Sequence, residues 1–142
     1  MNCPVCKRDK GVMVIVEHER IELDYCTNCA GIWFDYGELD LLMERLALDS
    51  SAFSMDRIMA LPDRQTKESV RKCPACRKKM RKVVVGTDPE VLIDVCPTGD
   101  GIWFDGGEVQ QVIRQLVDRA PAGMGGEHKV ISFVGEVFKA GG

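Results

Sequence analysis

We predict a small α+β fold that is stabilised by metal ions and built from two similar halves. Three features support this fold class: a repeat that matches positions 3–38 with positions 73–108, closely spaced cysteines in both copies, and an alternating apolar pattern that gives way to helical spacing in each copy. A unit of about 45 residues buries too little apolar surface to fold securely alone, whereas a structural zinc ion supplies about 10–16 kcal/mol of binding free energy. The predicted fold therefore depends on its metal sites.

The repeat is visible in two strings, CPVC…CTNCAGIWFDYGEL and CPAC…CPTGDGIWFDGGEV. Each motif in residues 1–50 recurs 70 positions later, and we infer an offset that does not change along the repeat. One cysteine is not repeated, because Gly99 stands at the position equivalent to Cys29 and Asp100 follows it. The sequence therefore predicts one set of four thiols and one set of three.

The first half has the pattern of a β-hairpin followed by a helix. Residues 12–17 and 20–25 predict two strands, and residues 32–34 predict a third, short and apolar. Asp35 is predicted as the helix N-cap with Glu38 completing a capping box, and the helix should end near position 48. Its predicted buried face has apolar residues at helical spacing: Leu39, Leu42, Met43 and Leu46.

The second half repeats this order of elements. Residues 83–85 and 91–95 predict strands, and Asp105 is predicted to cap the following helix. The predicted buried face of that helix is again apolar: Val109, Val112, Ile113, Leu116 and Val117.

Four segments follow from this pattern. The first unit is residues 1–48, the linker 49–72, the second unit 73–120, and a glycine-rich joint with an amphipathic segment 121–142. The linker should contain one short helical turn before Pro62. We expect the two long helices and the C-terminal segment to share apolar faces and form one body.

Two C-x2-C pairs about twenty residues apart are typical of a site with four metal-bound thiolates. The four predicted ligands in the first half are Cys3, Cys6, Cys26 and Cys29. Zinc is the expected ion, and iron bound as in small electron carriers is the alternative, because both accept four thiolates. All seven cysteines lie at repeat positions, and an odd number excludes complete disulfide pairing. We therefore expect a reducing, cytoplasmic location.

The second site has three predicted thiolate ligands: Cys73, Cys76 and Cys96. Asp100 is the predicted fourth ligand, because it stands one residue beyond the missing cysteine and a carboxylate oxygen is a suitable zinc ligand. Other interpretations stay open at this point. The fourth ligand would then be Asp94, His128 or a water molecule, or the second half would hold no metal.

An enzyme is one alternative function, because three thiolates and a water molecule resemble an open, catalytic zinc site. Repeated carboxylates accompany both the complete and the incomplete site, and helix capping explains them: Asp35, Glu38, Asp105 and Glu108. No nucleophile motif or phosphate-binding glycine loop is present in the sequence. We therefore expect a protein that is not an enzyme.

The charge distribution bears on the choice of partner. The formal net charge is −3, but residues 1–49 carry 10 acidic and 5 basic side chains, whereas residues 64–82 carry nine basic ones and Glu68. We interpret the 64–82 run as a solvated linker and hairpin rim, with a phosphate-contacting patch for nucleic acid as the alternative. No apolar run approaches the length of about 18 residues that a membrane span needs. Given the acidic first half and the apolar C-terminal segment, we expect protein partners.

Four of the nine aromatic residues lie in the repeated pairs Trp33-Phe34 and Trp103-Phe104. Base stacking is one possible role for such rings. Each pair lies between a cysteine turn and a helix, where an apolar plug over the metal site is needed. We therefore predict that these rings belong to the core.

The string CPVC…CTNCAGIWFDYGEL resembles the transcription factor IIB-type zinc-ribbon family of small prokaryotic proteins. The resemblance covers residues 3–46 closely and residues 73–116 without the fourth cysteine, which Gly99 replaces. It implies two tandem zinc ribbons in which the cysteines of both copies are zinc ligands. The family name also suggests a link to transcription.

Overall fold

The computed structural model describes residues 2–6, 11–18, 20–46, 54–87 and 90–119. Within these ranges the chain forms six strands and three helices. The strands are β1 Met13–His18, β2 Ile21–Cys26, β3 Ile32–Asp35, β4 Arg81–Val85, β5 Val91–Val95 and β6 Gly101–Phe104. The helices are α1 Glu38–Arg45, α2 Met55–Met59 and α3 Glu108–Arg119. Every predicted strand and helix in these ranges is present, with ends that shift by a few residues.

All six strands form one antiparallel sheet in the order β1-β2-β3-β6-β5-β4. Each repeat supplies three strands, and the two halves join where β3 pairs with β6. The register is symmetric about Trp33 and Trp103, the equivalent residues that face each other, with Ile32 opposite Phe104 on one side and Phe34 opposite Ile102 on the other. A local twofold axis therefore passes between the tryptophans. The sequence did not predict this union of the two sheets.

One face of the sheet carries the main hydrophobic core. Along β2 the alternate residues Ile21, Leu23 and Tyr25 are buried, as the apolar alternation predicted. The predicted helix faces are buried on the same side: Leu39, Leu42, Met43 and Leu46 of the first repeat and Val109, Val112 and Ile113 of α3. The core is continuous across both repeats, and Phe34 and Phe104 meet edge to face with ring centroids 5.4 Å apart. The side chains of Leu116 and Val117 lie outside the described part.

The opposite face of the sheet carries the cysteines and the two tryptophans. Trp33 and Trp103 are fully buried there, in a cluster that includes Met13 and Met80. The predicted apolar plug is therefore confirmed for the tryptophans, whereas the phenylalanine of each pair lies in the main core. Because all four rings are fully buried, base stacking on them is excluded.

The sequence offset between structurally equivalent residues changes in the first strand of each hairpin. Asp24 lies opposite Ile15 in the first repeat, whereas its counterpart Asp94 lies opposite Lys82. Lys82 is therefore the structural counterpart of Ile15. A constant offset of 70 would instead make Val85 the counterpart of Ile15, three positions further along the chain. The first repeat has three more residues before β1 and three fewer in the hairpin turn, so the differences cancel. The constant offset inferred from the sequence is wrong for β1 and β4.

The two long helices do not begin at an aspartate N-cap. The N-cap of α1 is Gly37, with φ of +88°, and the carboxylate of Asp35 instead accepts the indole N–H of Trp33 at 2.8 Å. Glu38 reaches back as predicted, because its Oε1 accepts the backbone N–H of Asp35 at 2.7 Å. The arrangement around Asp105 before α3 is the same. The N-cap prediction was wrong because a buried indole N–H takes the aspartate oxygen.

Residues 54–72 run from the first repeat to the second and pack on both. The predicted helical turn is α2, which buries Met55 and Ile58 in the main core. The chain then follows the outer edge of β4, where the N–H of Arg64 donates to the carbonyl of Lys82 at 2.7 Å. The predicted segment boundaries themselves stay predictions.

No helix in the described part of the chain is long and apolar enough to cross a membrane. The predicted amphipathic segment within 121–142 lies outside the described residues, and so does His128.

Candidate metal centres

The first candidate centre is built from two turns that bring four cysteine side chains together. Cys3 and Cys6 precede β1, whereas Cys26 is the last residue of β2 and Cys29 lies in the turn that follows it. The sulfur atoms of Cys3 and Cys29 are 3.7 Å apart, and those of Cys6 and Cys26 are 3.8 Å apart. A tetrahedral ion with zinc–sulfur distances of about 2.3 Å separates its sulfur atoms by about 3.8 Å. The four thiols therefore fit one zinc ion.

The second candidate centre repeats this arrangement with a carboxylate at one corner. The structure brings together the ligand atoms of Cys73, Cys76, Cys96 and Asp100, all within 4.8 Å of one another. The sulfur atoms of Cys76 and Cys96 are 3.6 Å apart, and Oδ2 of Asp100 lies 3.8 Å from the sulfur of Cys73. Asp100 thus stands at the corner that a fourth cysteine occupies in the first centre.

A change in the turn explains how Asp100 reaches this corner. In the first repeat the N–H of Ala30 bonds to the carbonyl of Cys26 at 2.8 Å, and Ala30 has φ of +65°. In the second repeat the turn closes one residue earlier, with the N–H of Gly99 bonded to the carbonyl of Cys96 at 3.1 Å. Gly99 has φ of +86°, which glycine adopts without strain. The left-handed residue therefore precedes Asp100, and the carboxylate is the side chain that turns toward the sulfur atoms.

Hydrogen-bond donors surround the sulfur atoms in both centres. The sulfur of Cys3 lies 3.4 Å from the backbone nitrogens of Val5 and Cys6, and equivalent donors face the first sulfur of the second centre. The side-chain amide of Asn28 donates to the sulfur of Cys6 at 3.1 Å. Thr98, at the equivalent position of the second repeat, has its hydroxyl 3.1 Å from a cysteine sulfur. Such donors orient metal ligands and stabilise thiolates.

The pKa values of the thiols indicate why each cluster needs a cation. Burial raises the pKa of Cys3 to about 11 and that of Cys73 to about 12, and it also raises the pKa of Cys29. Burial acts in the same direction on Cys26, but the N–H groups of Cys29 and Asn28 bring its pKa below the usual value. The raised pKa values mean that Cys3, Cys29 and Cys73 keep their protons at neutral pH when no metal is bound. A divalent cation displaces these protons and neutralises the thiolate charge.

Comparison with known proteins agrees with this geometry. The profile of the transcription factor zinc-finger family matches the chain twice, at residues 2–45 and 72–115. Together the two matches cover more than half of the chain. The chain belongs to this family. No curated protein and no solved structure matches it.

Family membership confirms the prediction of two tandem zinc ribbons with zinc as their metal. Each ribbon contributes one cluster of candidate metal ligands, three strands and one long helix. The cysteines of both ribbons are free thiols in the structure, so a disulfide scaffold is excluded.

Each zinc ribbon makes room for the tryptophan of the other. A Cβ atom added at Gly31 would overlap the ring of Trp103, and one added at Gly101 would overlap the ring of Trp33. The repeated glycine is therefore required by a contact between the two ribbons. Sequence reasoning missed this role, because a repeated glycine beside a motif gives no indication of which ring lies against it.

Asp94 belongs to a buried ion network and lies apart from the second metal centre. Its side chain is 2% exposed, and it pairs with Lys82 at 2.5 Å and with Arg71 at 3.1 Å. Burial raises the pKa of Asp94, while the hydrogen bond with Lys82 acts against this rise. Arg71 also pairs with Asp105, and Lys82 also pairs with Glu68. The structure therefore does not bring Asp94 to the vacant corner, and two cations are shared among the three carboxylates of the network.

The same network corrects our interpretation of residues 64–82 as a solvated basic run. Lys82 is only 7% exposed, and Arg81 donates to the carbonyls of Met59 and Leu61 while pairing with Asp63. Five other basic residues of the run are exposed and have no carboxylate partner in the described ranges: Lys67, Lys72, Arg77, Lys78 and Lys79. The exposed basic residues of the run are therefore these five and Arg64, which pairs with Glu90.

A cleft of about 270 Å³ separates the C-P-x-C turns of the two ribbons. Cys3 and Cys73 both line it. Its other lining residues include apolar and cationic side chains: Pro4, Val70, Pro74, Lys72 and Arg77. The sequence did not predict this cleft, because its walls belong to different repeats and meet only through the pairing of β3 with β6.

Proposed function

We propose that this protein is a non-catalytic, zinc-stabilised binding module that holds a segment of a protein partner in the cleft between its two ribbons. The closed composition of both metal centres carries the non-catalytic part of the proposal. Each centre offers four ligand atoms from the protein itself: the sulfurs of Cys3, Cys6, Cys26 and Cys29, and those of Cys73, Cys76 and Cys96 with the carboxylate of Asp100. A zinc ion bound by all four has no open position for a substrate or a reactive water.

The repeated carboxylates support the same proposal. Asp35 and Asp105 each accept an indole N–H, whereas Glu38 and Glu108 each accept a backbone N–H at the start of a helix. These bonds give all four carboxylates a structural role. A general base for hydrolysis would need to reach a metal-bound water instead.

The lining of the cleft favours a protein segment as its occupant. Pro4, Pro74 and Val70 present apolar surface, and the side chain of Val70 is 61% exposed. Lys72 and Arg77 place positive charge beside this surface. An extended peptide with an acidic residue next to an apolar one complements both features, whereas a phosphate backbone leaves the apolar surface uncovered.

Nucleic acid is a second candidate, because five exposed cations of the 64–82 run have no carboxylate partner in the described ranges. Phosphate contacts by such residues make binding strongly dependent on salt. The first repeat opposes this candidate, because residues 1–49 carry twice as many acidic as basic side chains.

The test uses the zinc-loaded full chain and two probes. A phage-displayed random peptide library selects peptide ligands, which are then measured by fluorescence anisotropy, and a single-stranded oligonucleotide and its duplex are measured in the same way. Arg77→Glu reverses a charge that lines the cleft, and Arg57→Glu makes the same change at an exposed residue of α2 as the matched control.

We expect selected peptides that combine acidic and apolar residues, and at least a tenfold loss of their affinity (about 1.4 kcal/mol) in Arg77→Glu but not in Arg57→Glu. Oligonucleotide binding that falls steeply with salt and is lost in Arg77→Glu would replace this proposal with the nucleic-acid function. Peptides that bind both variants equally would show that the cleft is not the binding site.

A further inference from the structure

The outer edge of β1 differs from the outer edge of β4, its equivalent in the second repeat. The edge of β4 is covered by residues 59–64: Arg64 donates to the carbonyl of Lys82, and Asp63 pairs with Arg81 at 2.5 Å. Within the described ranges, no segment covers β1 in this way, and β1 is the last strand of the sheet on that side.

Two exposed residues of β1, Val14 and Ile15, are apolar, whereas the equivalent residues of β4, Arg81 and Lys82, are charged and mostly covered. Val14 and Ile15 are 41% and 67% exposed. The slip between the two hairpins makes Val14 equivalent to Arg81, which pairs with Asp63 of the covering segment. Ile15 is equivalent to Lys82, whose side chain pairs with Glu68 and whose carbonyl accepts the N–H of Arg64. An edge strand with exposed apolar side chains is a site for pairing or docking.

The segment that covers β4 follows α1, the long helix of the first repeat. By the twofold relation, the segment that would cover β1 is the one that follows α3, which ends at Arg119. Residues 120–142 follow this helix. Val130 lies eleven positions beyond Arg119, and an extended chain of that length spans roughly 36 Å, more than the roughly 24 Å width of a six-stranded sheet.

The sequence after α3 has an apolar pattern that matches the covering segment. Val130, Phe133 and Val134 have the same spacing as three residues of α2: Met55, Ile58 and Met59. The alignment that places Val130 on Met55 also places Phe138 on Asp63. Asp63 contacts Arg81, whose equivalent is Val14, so an ion pair in the second repeat corresponds to an apolar pair in the first.

We propose that residues 130–138 dock on the outer edge of β1, in the position that residues 55–63 hold on β4, with Phe138 against Val14. This docking would complete the twofold relation between the repeats. It also removes the exposed apolar edge from solvent, where it would otherwise pair with other chains. The surface is separate from the cleft between the two ribbons, so this inference does not depend on the proposed partner.

The test exchanges the apolar pair for the ion pair of the second repeat. Amide hydrogen exchange of residues 130–138 is measured by mass spectrometry in the zinc-loaded full chain, in Val14→Arg, in Phe138→Asp and in the double variant. Ser132→Asp adds the same charge between the apolar positions and serves as the matched control, alone and combined with Val14→Arg. Zinc content and the exchange of residues 81–85 report whether each variant folds.

We expect each single change at Val14 or Phe138 to accelerate exchange of residues 130–138 by about tenfold or more, because the docked segment opens more often. The double variant should return to near the wild-type rate, whereas Val14→Arg with Ser132→Asp should not. Equal exchange in all variants would overturn the proposal. Cross-links between β1 and residues 130–138 that join separate copies, detected by mixing isotopically light and heavy protein, would assign the edge to a second copy instead.

Discussion

Trp33 and Trp103 lie directly opposite each other at the centre of the six-stranded sheet, where β3 pairs with β6. Each indole N–H is fixed by an aspartate two residues further along, Asp35 at 2.8 Å and Asp105 at 2.9 Å. Each ring also lies against the glycine of the other repeat. The tryptophan pair therefore sets the relative position of the two zinc ribbons and their metal centres.

The contact between Gly31 and Trp103 predicts a coupling that double mutants measure. Gly31→Ala should destabilise the protein by about 1–3 kcal/mol, because the new Cβ overlaps the buried ring. Trp103→Phe removes the ring atoms that the Cβ would meet. The double variant should therefore lose about 1 kcal/mol less free energy of unfolding than the two single variants lose together. Urea unfolding at saturating zinc measures each value.

Gly37→Ala is the control for this cycle, because Gly37 has φ of +88° and open space around the added Cβ. It should cost about 1–2 kcal/mol through its left-handed backbone and add independently to Trp103→Phe. A Gly31 cycle that is as additive as the Gly37 cycle would contradict the proposed role of the tryptophan contact.

The corner position of Asp100 predicts the zinc content of the second ribbon. Native mass spectrometry should find two zinc ions in the wild-type protein and one in Asp100→Ala, because three thiolates hold zinc less tightly than four ligands. Asp100→Cys should bind two. Asp94→Asn, which changes a buried carboxylate outside the centre, should keep two.

Other zinc contents would each change the assignment. Two zinc ions in Asp100→Ala would rule out Asp100 as an essential ligand. One zinc ion in both the wild-type protein and Asp100→Ala would mean that the second ribbon is held by packing alone.

The buried pair of Asp94 and Lys82 predicts that removing the cation alone destabilises the protein more than removing both charges. Lys82→Met should destabilise the protein by about 3–5 kcal/mol, because it leaves the buried carboxylate without its closest cation. Lys82→Met combined with Asp94→Asn should recover much of this loss, since the charge is then removed as well. Lys79→Met, at an exposed position of the same segment, should stay within about 0.5 kcal/mol of the wild-type value. Equal effects of Lys82→Met and Lys79→Met in urea unfolding would contradict the role of the network.

The pKa of Glu38 predicts a pH-dependent gain in stability on substitution. Burial, with a smaller contribution from the charge of Asp35, raises the pKa of Glu38 from 4.5 to about 7. Between these values the folded state binds more protons than the unfolded state, so the contribution of Glu38 declines as pH rises toward 7. Glu38→Gln cannot ionise, yet it keeps an oxygen for the N–H of Asp35. Its stability advantage over the wild-type protein should therefore grow from about pH 4.5 and level off above about pH 7.

Urea unfolding across this pH range at saturating zinc measures the difference. Glu44→Gln, which removes an exposed carboxylate from the same helix, serves as the control. Glu108, whose pKa burial also raises to about 7, should behave like Glu38. A stability difference for Glu38→Gln that does not change with pH would exclude a buried, titrating Glu38.

Local patterns predicted the elements of the fold and the composition of the metal clusters. The alternation of Ile21, Leu23 and Tyr25 indicated the strand and its buried face, and the spacing of the cysteines and of Asp100 indicated which side chains lie together in each cluster. The strand prediction succeeded because residues near one another in sequence carry the periodicity of the backbone, whereas the ligand roles of the clustered residues stay predictions. The N-cap prediction at Asp35 failed because a buried indole N–H, which the pattern does not include, donates to the same carboxylate.

Local sequence patterns did not predict the contacts between the repeats. The slip of three residues between Ile15 and Lys82 is hidden, because two opposite length changes cancel before the next cysteine. The basic run at 64–82 was interpreted as one solvated segment, yet the structure divides it into buried ion pairs and an exposed part. Burial of Lys82 depends on where Glu68 and Asp94 lie in space, and charge composition does not give that position.

By itself the sequence determined two metal-stabilised α+β units of one family, because cysteine spacing, strand alternation and helical spacing are local properties of each unit. Only the tertiary structure decided that the units share one sheet, that Trp33 faces Trp103, and that Asp100 turns into the vacant corner. Strand pairing, ring packing and the turn at Gly99 depend on backbone positions that form when the two repeats meet. The same residues in separate units would give the same sequence pattern without these contacts.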